Sequence, residues 1–292
     1  MGISEHVYRL AIDFSLVQDI PSDTRLRLPY FQTFKKLLRD EKEKIKGWCY
    51  EPSWHYAPLA STAAQEEGTW LIVHNNGQHE VLNWLKEGLA LSDAALLNLE
   101  GALSSALPAV AIKDALSEAV EQSGTSLRGI ISLLGLGESS NDTESKCPQS
   151  LESTLLFSQA IAQQAIDVPC CYITQGAVAI RSKEPVSHPE QAMAWGLCRV
   201  FSLEHPECQT GLLDLPLTLD TKTAETVIAA LGDLANEDQV AIRSGQRYGQ
   251  RIAPKPEFIQ DKAHGYHTEG SALVVGGLGG VGRHVARWLV LK

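Results

Sequence analysis

Two shortages bound this chain before any motif is read. No apolar run approaches the roughly 20 residues that a membrane-spanning helix needs, and basic residues are outnumbered, 25 Lys and Arg against 35 Asp and Glu. The resulting net charge of −10 opposes a nucleic-acid partner, which requires a basic face to displace counterions. It equally disfavours attraction to an anionic membrane surface. The start, Met1-Gly-Ile-Ser-Glu-His6, lacks a basic segment followed by an apolar core, so no secretion signal is expected and the cytoplasm is the expected compartment.

Cysteine pairing motifs are missing as well. None of the six cysteines, Cys49, Cys147, Cys170, Cys171, Cys198 and Cys208, forms a CxxC. Free, mostly buried thiols are expected rather than a metal or redox site. His74 with His79, and His264 with His267, have neither a third ligand nor a helical two-histidine spacing, so they read as loop or surface residues. No metal is expected. There is no P-loop, GxSxG elbow or HExxH, and none of the seven tyrosines is followed four residues later by lysine.

What is present is a globular composition, 44% hydrophobic with 21% charged residues, enough to bury a large core. Apolar strand patterns alternate with amphipathic helices. Trp48, Tyr50, Trp54 and Tyr56 alternate as in a half-buried strand. Strands are predicted at 69–74, 127–134, 168–174 and 210–214, with helices at 80–89, 112–122, 151–166, 189–204 and 223–235. A hairpin of 239–243 with 247–252 turns about Ser244-Gly245. This order predicts a Rossmann-like, doubly wound α/β domain over roughly 48–255, its parallel sheet covered on both faces. Earlier, a strand at 8–14 and a helix at 29–44 are expected. That helix carries a narrow apolar stripe, Phe31, Phe34, Leu37 and Leu38.

The C-terminal stretch is the most informative. A predicted strand, 272–275, meets Gly276-Gly-Leu-Gly-Gly-Val-Gly282 and then a helix on which Val281, Val285 and Trp288 share a face. Gly277, Gly279 and Gly282 fit GxGxxG, the turn that rests a pyrophosphate on a helix N-terminus. Gly276, Gly277, Leu278, Gly279, Gly280, Val281 and Gly282 are therefore the candidate cofactor-binding residues. The earlier strand-to-helix turn, His74-Asn-Asn-Gly-Gln-His79, keeps one glycine, too few for close approach to a phosphate. A polar connector, 254–269, separates the first domain from the terminal glycine motif. The second nucleotide-type fold is thus begun but not completed within this sequence.

Several blocks resemble the ketoreductase region of modular type I polyketide synthases, of the short-chain dehydrogenase class. Trp54-His-Tyr-Ala-Pro-Leu59 is similar to the opening strand of that family's structural subdomain, and Thr174-Gln-Gly-Ala-Val178 to its TxGAV strand end. Glu190-Gln-Ala-Met-Ala-Trp-Gly-Leu-Cys-Arg-Val-Phe-Ser-Leu-Glu-His-Pro206 is similar to its QAxxWGLGRVxxLEHP helix. Gly211-Leu-Leu-Asp-Leu-Pro216 and Glu237-Asp-Gln-Val-Ala-Ile-Arg243 follow in the family's order. Val275 departs from a family pattern that commonly has threonine there, and Leu278 stands where many members have threonine, although leucine is also familiar at that position.

The resemblance implies a linker or dimerisation element at 1–46, a non-catalytic Rossmann-like structural subdomain at 47–265, and the first β–α unit of an NADPH-binding catalytic subdomain at 266–292. It implies reduction of a β-ketone tethered to acyl carrier protein, with NADPH as hydride donor and other synthase domains as partners. A homodimer is left open. No catalytic serine, tyrosine or lysine can be placed, so the chain alone is expected to be inactive. The alternatives are a non-catalytic scaffold module of the synthase and a stand-alone NAD-binding oxidoreductase.

Overall fold

The computed structural model describes residues 47–58, 68–88, 94–123, 127–137, 147–255 and 271–290, together with 40 and 43–44. The expected strand at 8–14 and most of the expected helix at 29–44 lie outside these; Asp40, Glu43 and Lys44 are helical. By contacts the chain divides into one unit of residues 52–252 and another of 1–51 with 253–292.

An eight-stranded mixed sheet dominates: β1 Tyr50–Tyr56, β2 Thr69–His74, β3 Ala95–Asn98, β4 Leu127–Ser132, β5 Cys170–Gln175, β6 Thr210–Leu215, β7 Gln239–Arg243 and β8 Gln246–Pro254. The order across it is β1-β8-β7-β6-β5-β4-β2-β3. Pairings from β3 to β7 are parallel and β7 with β8 is antiparallel. The helices are α1 His79–Gly88, α2 Glu100–Leu103, α3 Pro108–Ser123, α4 Gln149–Gln163, α5 Ala192–Glu204, α6 Thr221–Leu231 and α7 Gly280–Val290.

Parallel strands buried on both faces read as continuous apolar runs, and Trp70-Leu-Ile-Val73 in β2 is wholly buried. The period of two then sorts their side chains into two cores. Ile72, Ile131, Ile173 and Leu213 meet α1 and α6 through Leu82, Leu85 and Val227. Leu71, Ile130, Tyr172 and Leu212 meet α3, α4 and α5 through Ile112, Phe157 and Trp195. This is the doubly wound architecture that the sequence pattern predicts. One connection differs in hand. The β6–α6–β7 crossover runs in the direction of those carrying α4 and α5 but lies on the opposite face, which gives it the handedness that parallel crossovers rarely adopt.

Some local expectations are corrected. Tyr50 and Tyr56 are exposed. Only Trp54 is partly covered, by Trp195 at a ring-centroid distance of 5.8 Å, because β1 lies at the sheet edge and its middle alone meets a helix. Pro52 is tolerated there since an outward N–H is not needed. The predicted strand 127–134 ends at Ser132, and a 3-10 turn takes Leu134–Leu136. β3 and α2 were not anticipated, as four-residue elements within a leucine- and alanine-rich stretch carry almost no periodic signal. The hairpin forms where expected: Ser244 and Gly245 have φ of 52° and 65°, the two left-handed positions of a type I′ turn.

Candidate functional site

Around the C-terminal glycines, Ser271–Val274 adopt no strand, which corrects the expectation for 272–275. A strand needs ladder partners for its backbone groups, and no described residue provides them. The turn that follows is nonetheless well defined. Gly276 takes φ 74°, a conformation that L side chains rarely adopt. The Gly277 N–H donates to the Val274 carbonyl at 3.2 Å, and the Gly279 N–H to the Gly276 carbonyl at 2.9 Å. The Arg283 N–H then closes the first helical turn onto the Gly279 carbonyl at 3.1 Å.

A Cβ at Gly282 would collide with the Gly276 carbonyl and with Gly277, whereas at Gly280 it would meet nothing. The left-handed residue is thus Gly276, and Gly282 is the position of closest approach. The amides of Gly280, Val281 and Gly282 are first-turn donors without intrahelical acceptors. No side chain at Gly279, Gly280 or Gly282 shields them. Leu278 is 95% and Val281 78% exposed. This donor set fits the pyrophosphate of a dinucleotide, the group that the glycine spacing implies. Val275 in place of threonine removes no bond on which the turn depends.

The corresponding turn after β2 is closed to such a ligand. The Asn75 N–H donates to Gln78 Oε1 at 3.1 Å and the Asn76 N–H to Glu100 Oε2 at 3.4 Å. Gln78 itself is only 3% exposed, and the space it borders, with Gln175 and Gln191, measures about 190 Å³. That is smaller than the ~300 Å³ lower bound of typical ligand pockets. At this switch point of the sheet the Asn75 and Asn76 amides are spent on side chains.

His74 is not at the surface. It closes β2, is buried, and its Nδ1 lies 3.2 Å from the Asn75 carbonyl. His264 and His267 lie outside the described residues, and among the described residues no cluster could hold a metal ion. Cys170, Cys171, Cys198 and Cys208 are buried. Burial pushes the Cys170 thiol up to about 12 and Cys171 higher still, which leaves them unreactive.

The motif residues in the middle of the chain converge on a site that sequence reasoning missed. The Trp195 indole N–H donates to Thr174 Oγ1 at 2.9 Å, and Thr174 Oγ1 donates to Asp214 Oδ1 at 2.6 Å. Asp214 Oδ1 also accepts the Ala177 N–H at 2.9 Å, while Oδ2 accepts from Arg243 at 2.7 Å. Arg243 further donates to Glu184 and, at 2.7 Å, to the Val178 carbonyl.

Burial pushes the Asp214 carboxyl above its usual range, against the pull of Arg243. Burial also opposes the charge on Arg243, but the two carboxylates hold the guanidinium firmly protonated. Glu184, although burial works against it, is held below the usual carboxylate range by Arg243 and the Ile180 N–H. Every donor and acceptor is spent inside the network. It fixes the ends of β5, β6 and β7, and none of its groups is left for chemistry on a substrate.

Comparison with known proteins matches residues 60–252 to the Rossmann fold domain of the polyketide synthase extender module SpnB. The chain belongs to this family. It is 33% identical over 91% of its length to polyketide synthase GfsA of Streptomyces halstedii, of which it spans 4%, and 32% identical over 96% to pikromycin synthase component PikAIII of Streptomyces venezuelae, of which it spans 17%. Among solved structures, A-type ketoreductases from a modular polyketide synthase align over 85% of this chain and 51% of theirs, at TM-score 0.64 and 29% identity. The first ketoreductase of the tylosin synthase aligns over 85% and 49%, at TM-score 0.60 and 26% identity. The chain is thus a ketoreductase-type portion of the polyketide synthase family, spanning about half of these solved ketoreductase chains. Among the described residues, no helix is long and apolar enough to cross a membrane.

Proposed function

We infer that this chain is the structural half of a polyketide synthase β-ketoreductase together with the opening of its catalytic half. In this reading residues 47–265 form the non-catalytic subdomain and 266–292 begin the NADPH-binding one, with 1–46 a linker or pairing element. The observation that carries it is the contrast between the two glycine turns. At Asn75–Gln78 the Asn75 and Asn76 N–H groups are taken by side chains and that of Gln78 by the Asn75 carbonyl. At Gly276–Gly282 the loop is shaped by left-handed and Cβ-free positions that leave them open.

The first-turn amides of Gly280, Val281 and Gly282 would hold the cofactor pyrophosphate. The bound nicotinamide would supply hydride to the β-carbon of a ketoacyl thioester presented by acyl carrier protein. Protonation of the resulting alkoxide requires an acid such as a tyrosine supported by lysine or asparagine, and no tyrosine here has either four residues on. The 292 residues alone are therefore expected to give no turnover. This is checked by following NADPH absorbance with a β-ketoacyl thioester; steady oxidation above the enzyme-free rate would refute it. The scaffold reading is separated by the reading frame after Lys292: a continuation bearing a serine and Tyr-x-x-x-Lys or Tyr-x-x-x-Asn supports the reductase, and its absence supports the scaffold.

A further inference from the structure

The Rossmann-like unit carries a second cavity that the reductase reading does not use. It lies beyond the C-terminal ends of β5, β6 and β7, is open to solvent with a volume of about 660 Å³, and is lined by the 180–187 loop, the 216–220 segment and Arg243. That volume falls within the range of ligand pockets. Open α/β sheets take their ligands outside the carboxyl ends of their strands.

The wall of the cavity is set in advance. Glu184 Oε2 accepts the Ile180 N–H at 2.8 Å and Glu184 Oε1 accepts from Arg243. The Ser187 and His188 N–H groups both donate to the Gly176 carbonyl, at 3.0 and 3.1 Å. A loop held in this way loses little further freedom when a ligand arrives.

Its charges are unevenly spent. Glu184 is engaged by Arg243, and Asp220 Oδ1 caps α6 by accepting the Thr223 N–H at 2.7 Å. The exposed Arg181 and Lys183, which also line the cavity, make no ion pair with any described residue. Both cations line the same cavity, on a chain of net charge −10, whose lining also holds Asp220, capped by its bond to Thr223 but still a carboxylate. Beside them Ile180, Pro216 and Leu217 provide apolar surface.

We propose that this cavity binds a small phosphate monoester, its phosphate met by Arg181 and Lys183 and its hydrocarbon body laid on Ile180, Pro216 and Leu217. Phosphate suits the pair because guanidinium and ammonium together offer several donors to its three terminal oxygens. The assignment is independent of NADPH and of reductase activity.

The test is a titration of the 15N-labelled 292-residue chain at constant ionic strength, following the backbone amides of Gly176, Leu217 and Ser244. The probes are hexyl phosphate, inorganic phosphate, hexanoate and 1-hexanol. Hexyl phosphate is expected to saturate these amides and to bind more tightly than the other three. Arg181→Ala combined with Lys183→Ala is expected to weaken it about tenfold, with an unchanged Tm because both side chains are exposed and make no ion pair with a described residue. Should alanine perturb the fold, Arg181→Gln with Lys183→Gln provides the same reading. Absence of saturation, equal affinity for hexanol or hexanoate, or undiminished affinity in the double variant would overturn the proposal.

Discussion

At Asp214 a single carboxylate, fully buried, takes hydrogen bonds from Thr174, Ala177 and Arg243. Removing its counter-charge would leave an uncompensated ion in a low-dielectric site. Arg243→Met is therefore expected to cost about 3–5 kcal/mol of unfolding free energy, read from urea denaturation. The comparison is Arg199→Met, whose exposed guanidinium bonds Gln239 and Gln250 and lies 5.7 Å from the Trp195 ring centroid, and whose loss should cost about 1 kcal/mol or less. Equal effects for the two would show that the buried network is not a structural pivot.

The same scale governs the terminal loop. Gly282→Ala would push a methyl group into the Gly276 carbonyl, so the turn must open. The Gly279 amide, now bonded to Gly276 at 2.9 Å, should then exchange faster with deuterium. Gly280→Ala, facing open space, should leave its exchange unchanged.

At the scale of elements, the 180–187 loop is tied to β7 by the Glu184 carboxylate, beside the bond from the Ser187 N–H to the Gly176 carbonyl. Because the folded-state pKa of Glu184 is lowered from 4.5, its contribution is fully present above that value and is lost as pH falls through the folded value. Glu184→Gln should accordingly be less stable than the parent at pH 7, with the gap narrowing toward pH 3. Thermal unfolding at the two pH values checks this, and a gap that widens on acidification would contradict it.

Elements were also where the sequence was most and least informative. β2, β5 and β6 were legible because strands buried on both faces are unbroken apolar runs, bounded by turn residues. β3 was not, since a four-residue edge strand has no period to detect. Residues 272–275 have the composition of a strand and do not form one, because ladder bonds come from a neighbour rather than from the segment itself.

For the whole molecule, the alternation of strands and helices led to the doubly wound sheet, and the family motifs led to the family that residues 60–252 match. The glycine spacing marked the loop at 276–282, and the scarcity of glycine set the turn after β2 apart from it. Those conclusions depend on the order of residues along the chain, where hydrophobic period and Cβ-free positions act locally. The convergence of Thr174, Glu184, Trp195, Asp214 and Arg243, the sealing of the first turn by Gln78 and Glu100, and the cavity beneath Arg181 and Lys183 were decided by tertiary structure alone. Each joins side chains from separate elements, and only the packing of the sheet brings their charges and donors within bonding distance.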